Sequence, residues 1–451
     1  MRGLVFAIFL ISVSLGWAIF DLKYHDINLW SLPVGNFGEF GQSRTGEAGG
    51  EWPRGSGHMY IYGAGLWVGA IAPNGDTLVT VGYNPSSGGN EVVPGLFRQG
   101  TGGMGSQLVR VYKFPGDWPP DPDTFPMAPQ TPLTTQETWC CYNDNNPTAH
   151  SPGDTRPIGF DVYPTGFADT LSIVVDVVFL KYEVKNCTTY TMRNTYFGIA
   201  MDADVGDYRD DRNGLILSKW FAGVNDTVKW LGYAADWDSV PGWGAVGMLL
   251  VKAPRNLGLT AFKSFVFGSD PPNDRARYKS LAGYTWQTGQ YEPYDSIDPG
   301  PDDKIFLMSS GPFDLLPGQK EELVIAVIGS DYNISDTLPL ARRARDAKWF
   351  WEHLVRIAER EERSRDAEVK MAITPNPIRN KAVVSYALGN SGFTSLKLYD
   401  ASGRLAGVLF EGNQSPGNYR LTMPRDIESG VYFIRLTTEK KSVVEKVAVV
   451  R

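Results

Sequence analysis

Hydrophobic and polar residues alternate along this chain with a period of two far more often than they recur at helical spacing. From residue 58 the text reads as strand, turn, strand: "HMYIYGAGLWVGAIA", the turn "PNGD", then "TLVTVGYN". Asn74-Gly75 favours positive φ, so this pair of runs predicts a hairpin. "LSIVVDVVFLKYEVKNCT" carries the strongest strand signal, apolar on both faces at first, with Lys181, Glu183 and Lys185 then alternating against Tyr182 and Val184. That pattern predicts a strand crossing the middle of a sheet. Further strands are predicted in "TYFGIAM", "DTVKWLGYAA", "AVGMLLVKA" and "LTAFKSFVFG", with a last hairpin in "GPFDLLPGQKEELVIAVIG" turning at Pro317-Gly318. Residues 85–157, rich in Gly, Pro, Asp and Asn, predict long loops with one strand in "SQLVRVYKF".

Only one stretch has a sustained helical period. In "LARRARDAKWFWEHLVRIAEREERSRDAE", Leu340, Ala344, Ala347, Trp351, Leu354 and Ala358 form one apolar face that packs on the sheets. Beyond Ala358 the stripe fades into "EREERSRDAEVK", which predicts a solvated linker. After a boundary near Val369, short strands resume in "AVVSYAL", "SLKLYD", "RLAGVLFEG", "NYRLTM", "GVYFIRL" and "KSVVEKVAVV". The expected fold is all-β: a large β-sandwich (19–338) with one long helix and charged linker at its C-terminal end (339–370), then a small immunoglobulin-like sandwich (371–451). The lack of a helical pattern alternating with the strands argues against a parallel α/β sheet.

Composition refines this picture. The 49 glycines and 30 prolines fit turn-punctuated strands, and 42% apolar residues fit a folded chain. The net charge of −7 argues against nucleic acid as a partner. It is unevenly shared: residues 371–451 hold 11 Lys+Arg against 6 Asp+Glu, a net +5, leaving −12 before them. At the start, Arg2, an apolar run from Leu4 to Leu15 and the small-x-small Gly16-Trp17-Ala18 predict a signal peptide (1–18) cut after Ala18, leaving a mature chain without a transmembrane segment. In an oxidising compartment Cys187 could pair with Cys140 or Cys141; three buried free thiols is the alternative.

The C-terminal residues carry a resemblance. "ITPNPIRNKAVVSYAL", "LKLYDASGRL", "SPGNYRLTM", "SGVYFIRL" and "KSVVEKVAVVR" resemble, in this order and spacing, the type A sorting domain of the type IX secretion system. Its motif positions here are Pro375, Asn376, Pro377, Gly403, Arg404, Gly430, Val431, Tyr432 and Lys446. The resemblance implies export through the periplasm to the outer cell surface or beyond, with an outer-membrane type IX translocon and a surface sortase as partners. "NLWSLPVGNFGEFG", "GAGLWVGAI", "FGIAMDADVGD" and "GPFDLLPGQKEELVIAVIG" resemble an extracellular module of unassigned activity that precedes such domains.

Candidate chemistry is sparse. "MDADVGDYRDDRNG" clusters Asp202, Asp204, Asp207, Asp210 and Asp211 after a predicted strand, as a structural Ca²⁺ ion requires, although Gly206 and Asn213 depart from the EF-hand order. Arg209 and Arg212 could neutralise these acids instead. Trp237, Trp243, Trp286, Tyr291 and Tyr294 stand beside polar residues, the composition of a glycan site, or else anchor loops to the core. G-x-S-x-G, H-E-x-x-H and Walker A motifs are missing, and His25, His58, His150 and His353 lie far apart. "GTGGMG" at 100–105 precedes a strand pattern where a dinucleotide site needs a helix. The sequence therefore predicts a secreted or surface protein with a structural or binding role, more consistent with a non-enzyme. A carbohydrate-active enzyme or glycan-binding module, with surface glycans as partners, is the alternative.

Overall fold

The computed structural model describes residues 20–450 except 86–88, 98–107, 151–155, 239–240, 296–297, 299, 332–335, 367–370, 380, 389–390, 416, 425–426 and 439–441. The predicted signal peptide, its cut at Ala18 and the "GTGGMG" stretch lie outside the described residues. The chain divides into two compact units, Met1–Glu352 and His353–Arg451.

In the first unit, antiparallel strands form two large sheets. The eight-stranded sheet runs Leu22–His25, Leu32–Gly35, Glu39–Phe40, Gly63–Ile71, Met192–Asp202, Lys304–Leu315, Ala261–Val266, with Thr77–Val81 also paired to Gly63–Ile71. The ten-stranded sheet is built around Asp211–Phe221, Asp226–Asp236, Ala245–Lys252, Lys320–Ser330, Val177–Asn186, Phe160–Ala168, Gln136–Trp139 and Tyr112–Phe114, in that order. Alternate side chains of both sheets meet in one core: Leu66, Val68, Phe197, Ile199, Phe306 and Met308 from the first, Val162, Leu180, Val246, Met248, Ile325 and Val327 from the second. Period-two alternation is what sends one set of side chains inward from each strand.

The outward set is covered too, which is why several strands read as apolar on both faces. Helix α1 (Asp274–Leu281) lies on the outer face of the first sheet, where Leu281 joins Trp67, Val81, Tyr196 and Leu307. A Cβ at Gly198 would stand 2.7 Å from Leu281 Cδ2, so glycine there permits the close approach. The Asn273 side chain caps α1 by accepting from the Ala276 amide at 3.0 Å. Its Arg277 is buried and ion-paired to buried Glu91 at 3.2 Å. Helix α2 spans Leu338–Asp366. Its Leu340, Ala344, Ala347, Phe350 and Trp351 are buried, and Phe350 and Trp351 pack at 5.7 and 5.4 Å between ring centres on Phe179 of the second sheet. Arg343 fixes it further through Asp176 at 3.0 Å.

Three local expectations are corrected. The strand expected from "LSIVVDVVF" starts only at Val177, because 172–176 fold as turns that leave the Asp176 carboxylate to pair with Arg343. Its remaining part does cross the sheet interior, flanked by Phe160–Ala168 and Lys320–Ser330. The Asn74-Gly75 turn closes a hairpin, with Gly75 at φ +88°. The Pro317-Gly318 turn does not: Lys304–Leu315 belongs to the first sheet and Lys320–Ser330 to the second. Each strand finds its hydrogen bonds elsewhere, so the turn carries the chain around a corner between layers. "SQLVRVYKF" yields only Tyr112–Phe114, and the loop region also holds Gln136–Trp139. Cys140, Cys141 and Cys187 are all free thiols.

In the second unit, seven strands among the described residues form two sheets of their own. Met371–Thr374, Val383–Leu388 and Gly417–Thr422 make one; Leu405–Gln414, Gly392–Asp400, Gly430–Thr438 and Ser442–Val449 make the other. Their core includes Met371, Ile378, Val384, Tyr386, Leu396, Leu398, Ile434, Leu436 and Val447.

Candidate functional site

The acidic corner of the first unit is assembled from three chain segments. Strand Met192–Asp202 ends at Asp202, whose Oδ2 accepts from the buried Tyr83 hydroxyl at 2.8 Å. The chain then turns through Gly206, at φ +81°, where a Cβ would run into Asp236 Oδ2. A single 3₁₀ turn, Tyr208–Asp210, follows, capped by the Asp207 side chain. Strand Asp211–Phe221 begins with Asp211, fully buried, whose Oδ1 accepts from the Val205 amide at 3.0 Å. The third segment arrives from almost a hundred residues on: the Asp302 amide donates to the Asp211 carbonyl at 3.3 Å, placing Asp303 beside the loop.

The result differs from the five-aspartate cluster expected from sequence. Carboxylate oxygens of Asp202, Asp204 and Asp303 lie within 4.8 Å of one another. Asp211 faces the charges of Asp204 and Asp303. Asp207 turns to solvent and pairs with Arg209, which holds its carboxyl down at about 2. Asp210 is only partly buried and faces Asp236, Asp238 and Asp207. Arg212 lies over the Trp237 ring at 5.6 Å. The two interleaved arginines thus serve Asp207 and Trp237.

Burial and mutual repulsion show in the protonation of the inner acids. Burial, then the Asp204 charge, pushes Asp202 up to about 8. Burial and Asp303 raise Asp204 to about 6. Asp211 is raised to about 10, chiefly by burial, with Asp204 and Asp303 adding to it.

The aromatic candidates do not form one platform. Trp243 stacks on His58 at 4.2 Å and packs against the main core, as does Tyr294, whose hydroxyl donates to the Leu259 carbonyl at 3.1 Å. Trp286 packs on the α1 side of the first sheet. Tyr291, 61% exposed, meets Tyr284 edge-on at 5.2 Å.

In the second unit, the Asn376 amide donates to the Lys446 carbonyl at 2.8 Å and its oxygen accepts from the Ala448 amide at 3.1 Å. Asn376, between Pro375 and Pro377, thereby ties the start of the unit's sheets to the last strand. Asp400 caps the Gly403-Arg404 turn: its Oδ1 accepts from the Ser402 amide at 2.8 Å and the Arg404 amide at 3.0 Å, and Gly403 takes φ +79°. Gly430, Val431 and Tyr432 open the strand that pairs with Ser442–Val449, Phe433 standing opposite Lys446.

These positions decide what the unit is. Residues 372–450 match the family of secretion system C-terminal sorting domains. A sorting tail of the type IX kind indicates export to the cell surface or secretion and engagement of the type IX machinery. Among the described residues, no helix is long and apolar enough to cross a membrane. The rest of the chain is unassigned by these comparisons, and no curated protein matches it. Among solved structures, a polysaccharide lyase is similar at 8% identity and a TM-score of 0.27, over 96% of this chain and 46% of its own. A Faecalibacterium prausnitzii β-glucuronidase follows at 10% identity and a TM-score of 0.12, over 71% and 42%. The chain spans less than half the length of either.

Proposed function

We propose that residues 19–370 form a passenger with a structural or binding role at the outer surface, delivered by residues 371–451 and separated from them by a surface sortase. The observation that carries this reading is the tail's construction. It closes its own sheets around its own core, with Asn376 bonded to Lys446 and Ala448 of its last strand, and such a module can be recognised without unfolding what precedes it. The aromatic candidates are spread over separate parts of the first unit, which favours a scaffold over a glycan cleft.

Deletion of residues 371–451 is expected to leave the passenger in the periplasm, read by protease accessibility on intact cells. Surface display of the truncated chain would refute the address. Grafting residues 371–451 onto a periplasmic reporter should move the reporter outward.

A further inference from the structure

Four carboxylates of the acidic corner lie beyond the reach of the neighbouring cations. Lys304 is ion-paired to Asp298, Arg209 to Asp207, and Arg212 covers Trp237. Among the described residues no ion pair reaches Asp202, Asp204, Asp211 or Asp303. Three of them converge to within 4.8 Å through their oxygens. The fourth supplies an independent observation: Asp211 is 0% exposed, its Oδ2 has no hydrogen-bond partner, and the acids it faces include Asp204 and Asp303. A buried acceptor left open costs about 1–3 kcal/mol, more if charged, unless something occupies it.

We propose that this corner binds one hard divalent cation of the Ca²⁺ class through Asp202, Asp204, Asp303 and the open Oδ2 of Asp211. The donors are all oxygens, which disfavours Zn²⁺ and other metals that seek nitrogen or sulfur. They are carboxylates brought together from separate chain segments, and such a set suits Ca²⁺, with its 6–8 variable ligands, better than Mg²⁺, which binds through one or two carboxylates and keeps several waters. The placement also gives the ion a mechanical role. Asp202 ends a strand of the eight-stranded sheet and Asp303 leads into another, while Asp211 opens the edge strand of the ten-stranded sheet. A bound ion ties the two sheets together where Gly206 lets the chain pass from one to the other. This inference is independent of the export reading, since it concerns the passenger's own fold.

The test uses the full chain stripped with EDTA, then titrated with Ca²⁺, Mg²⁺ or Tb³⁺. With Ca²⁺ at a hundredfold excess over its Kd, the melting midpoint should rise by about 3–6 °C. Tb³⁺ should show sensitised emission from Tyr83, hydrogen-bonded to Asp202, and Ca²⁺ should quench it by displacement. Asp303→Asn and Asp204→Asn should each abolish the Ca²⁺ shift, whereas Asp207→Asn should keep it. Stripped wild type that is folded by circular dichroism, melts identically with and without millimolar Ca²⁺ and gives no Tb³⁺ emission overturns the site. A larger shift with Mg²⁺ overturns the choice of ion. Loss of the response in Asp207→Asn with retention in Asp303→Asn overturns the ligand set. Because the wild-type titrations need no variant, a substitution that fails to fold leaves the test intact.

Discussion

His25 shows how a single buried side chain can set a pH dependence. Its Nε2 pairs with Thr138 Oγ1 at 2.8 Å between the two sheets, and a Cβ on Gly166 would overlap the ring. Burial, reinforced by the positive charge of Lys113 and opposed by Asp26 and Gln136, lowers its pKa from the ordinary histidine value to about 3. Between about 3 and 6.5 the unfolded chain takes up a proton that the folded chain refuses, so this group removes stability as pH falls through that window. Glu39 and Glu137, raised to about 7 by burial, act oppositely: the unfolded state releases their protons first, and their contribution is lost as pH rises from about 4.5 to 7. The stability gap between wild type and His25→Gln should therefore narrow by about 2 kcal/mol between pH 7 and pH 5 in urea titrations. A gap independent of pH would contradict the neutral, buried ring. The burial of His25 was not legible in the sequence, because its partner lies 113 residues away.

At the scale of elements, the corners between sheets carry information that strand patterns lack. Asn186 is fully buried at such a corner. Its Nδ2 donates to the carbonyls of Tyr190 at 2.8 Å and Leu315 at 2.9 Å, while its Oδ1 accepts from the Thr188 amide at 2.8 Å. Gly318, in the turn between the two sheets, donates its amide to the Asn186 carbonyl at 2.9 Å. Asn186→Ala should cost roughly 3 kcal/mol, since it leaves several buried backbone groups unpaired. Asn186→Asp, which keeps the acceptor but loses the donor, should also destabilise, and equilibrium unfolding of both variants checks this. Local turn chemistry was readable at Asn74-Gly75 and at Pro317-Gly318 alike. What differs is the destination of the outgoing strand, which depends on the edge open to receive it.

For the molecule as a whole, the division into two units with separate cores makes a thermodynamic prediction. Residues 371–451 expressed alone should melt cooperatively, because the fragment retains both of its sheets and, among the described residues, all thirteen buried apolar residues of their core. Asn376→Ala should lower that melting temperature by removing both side-chain bonds to the last strand. A broad, non-cooperative melt of the fragment would show that its core does not suffice.

The sequence by itself determined the β-rich character, the readable turns and the sorting tail, because alternation, turn residues and the tail's ordered motifs are all expressed over short stretches of chain. Tertiary structure decided which strands share a sheet and which aspartates share a corner. Asp207 is turned away because the 3₁₀ turn spends it on its own cap, whereas pairing of Asp302 with Asp211 draws in Asp303 from almost a hundred positions away. Proximity of that kind is fixed by the closure of the whole sheet, and no local pattern encodes it.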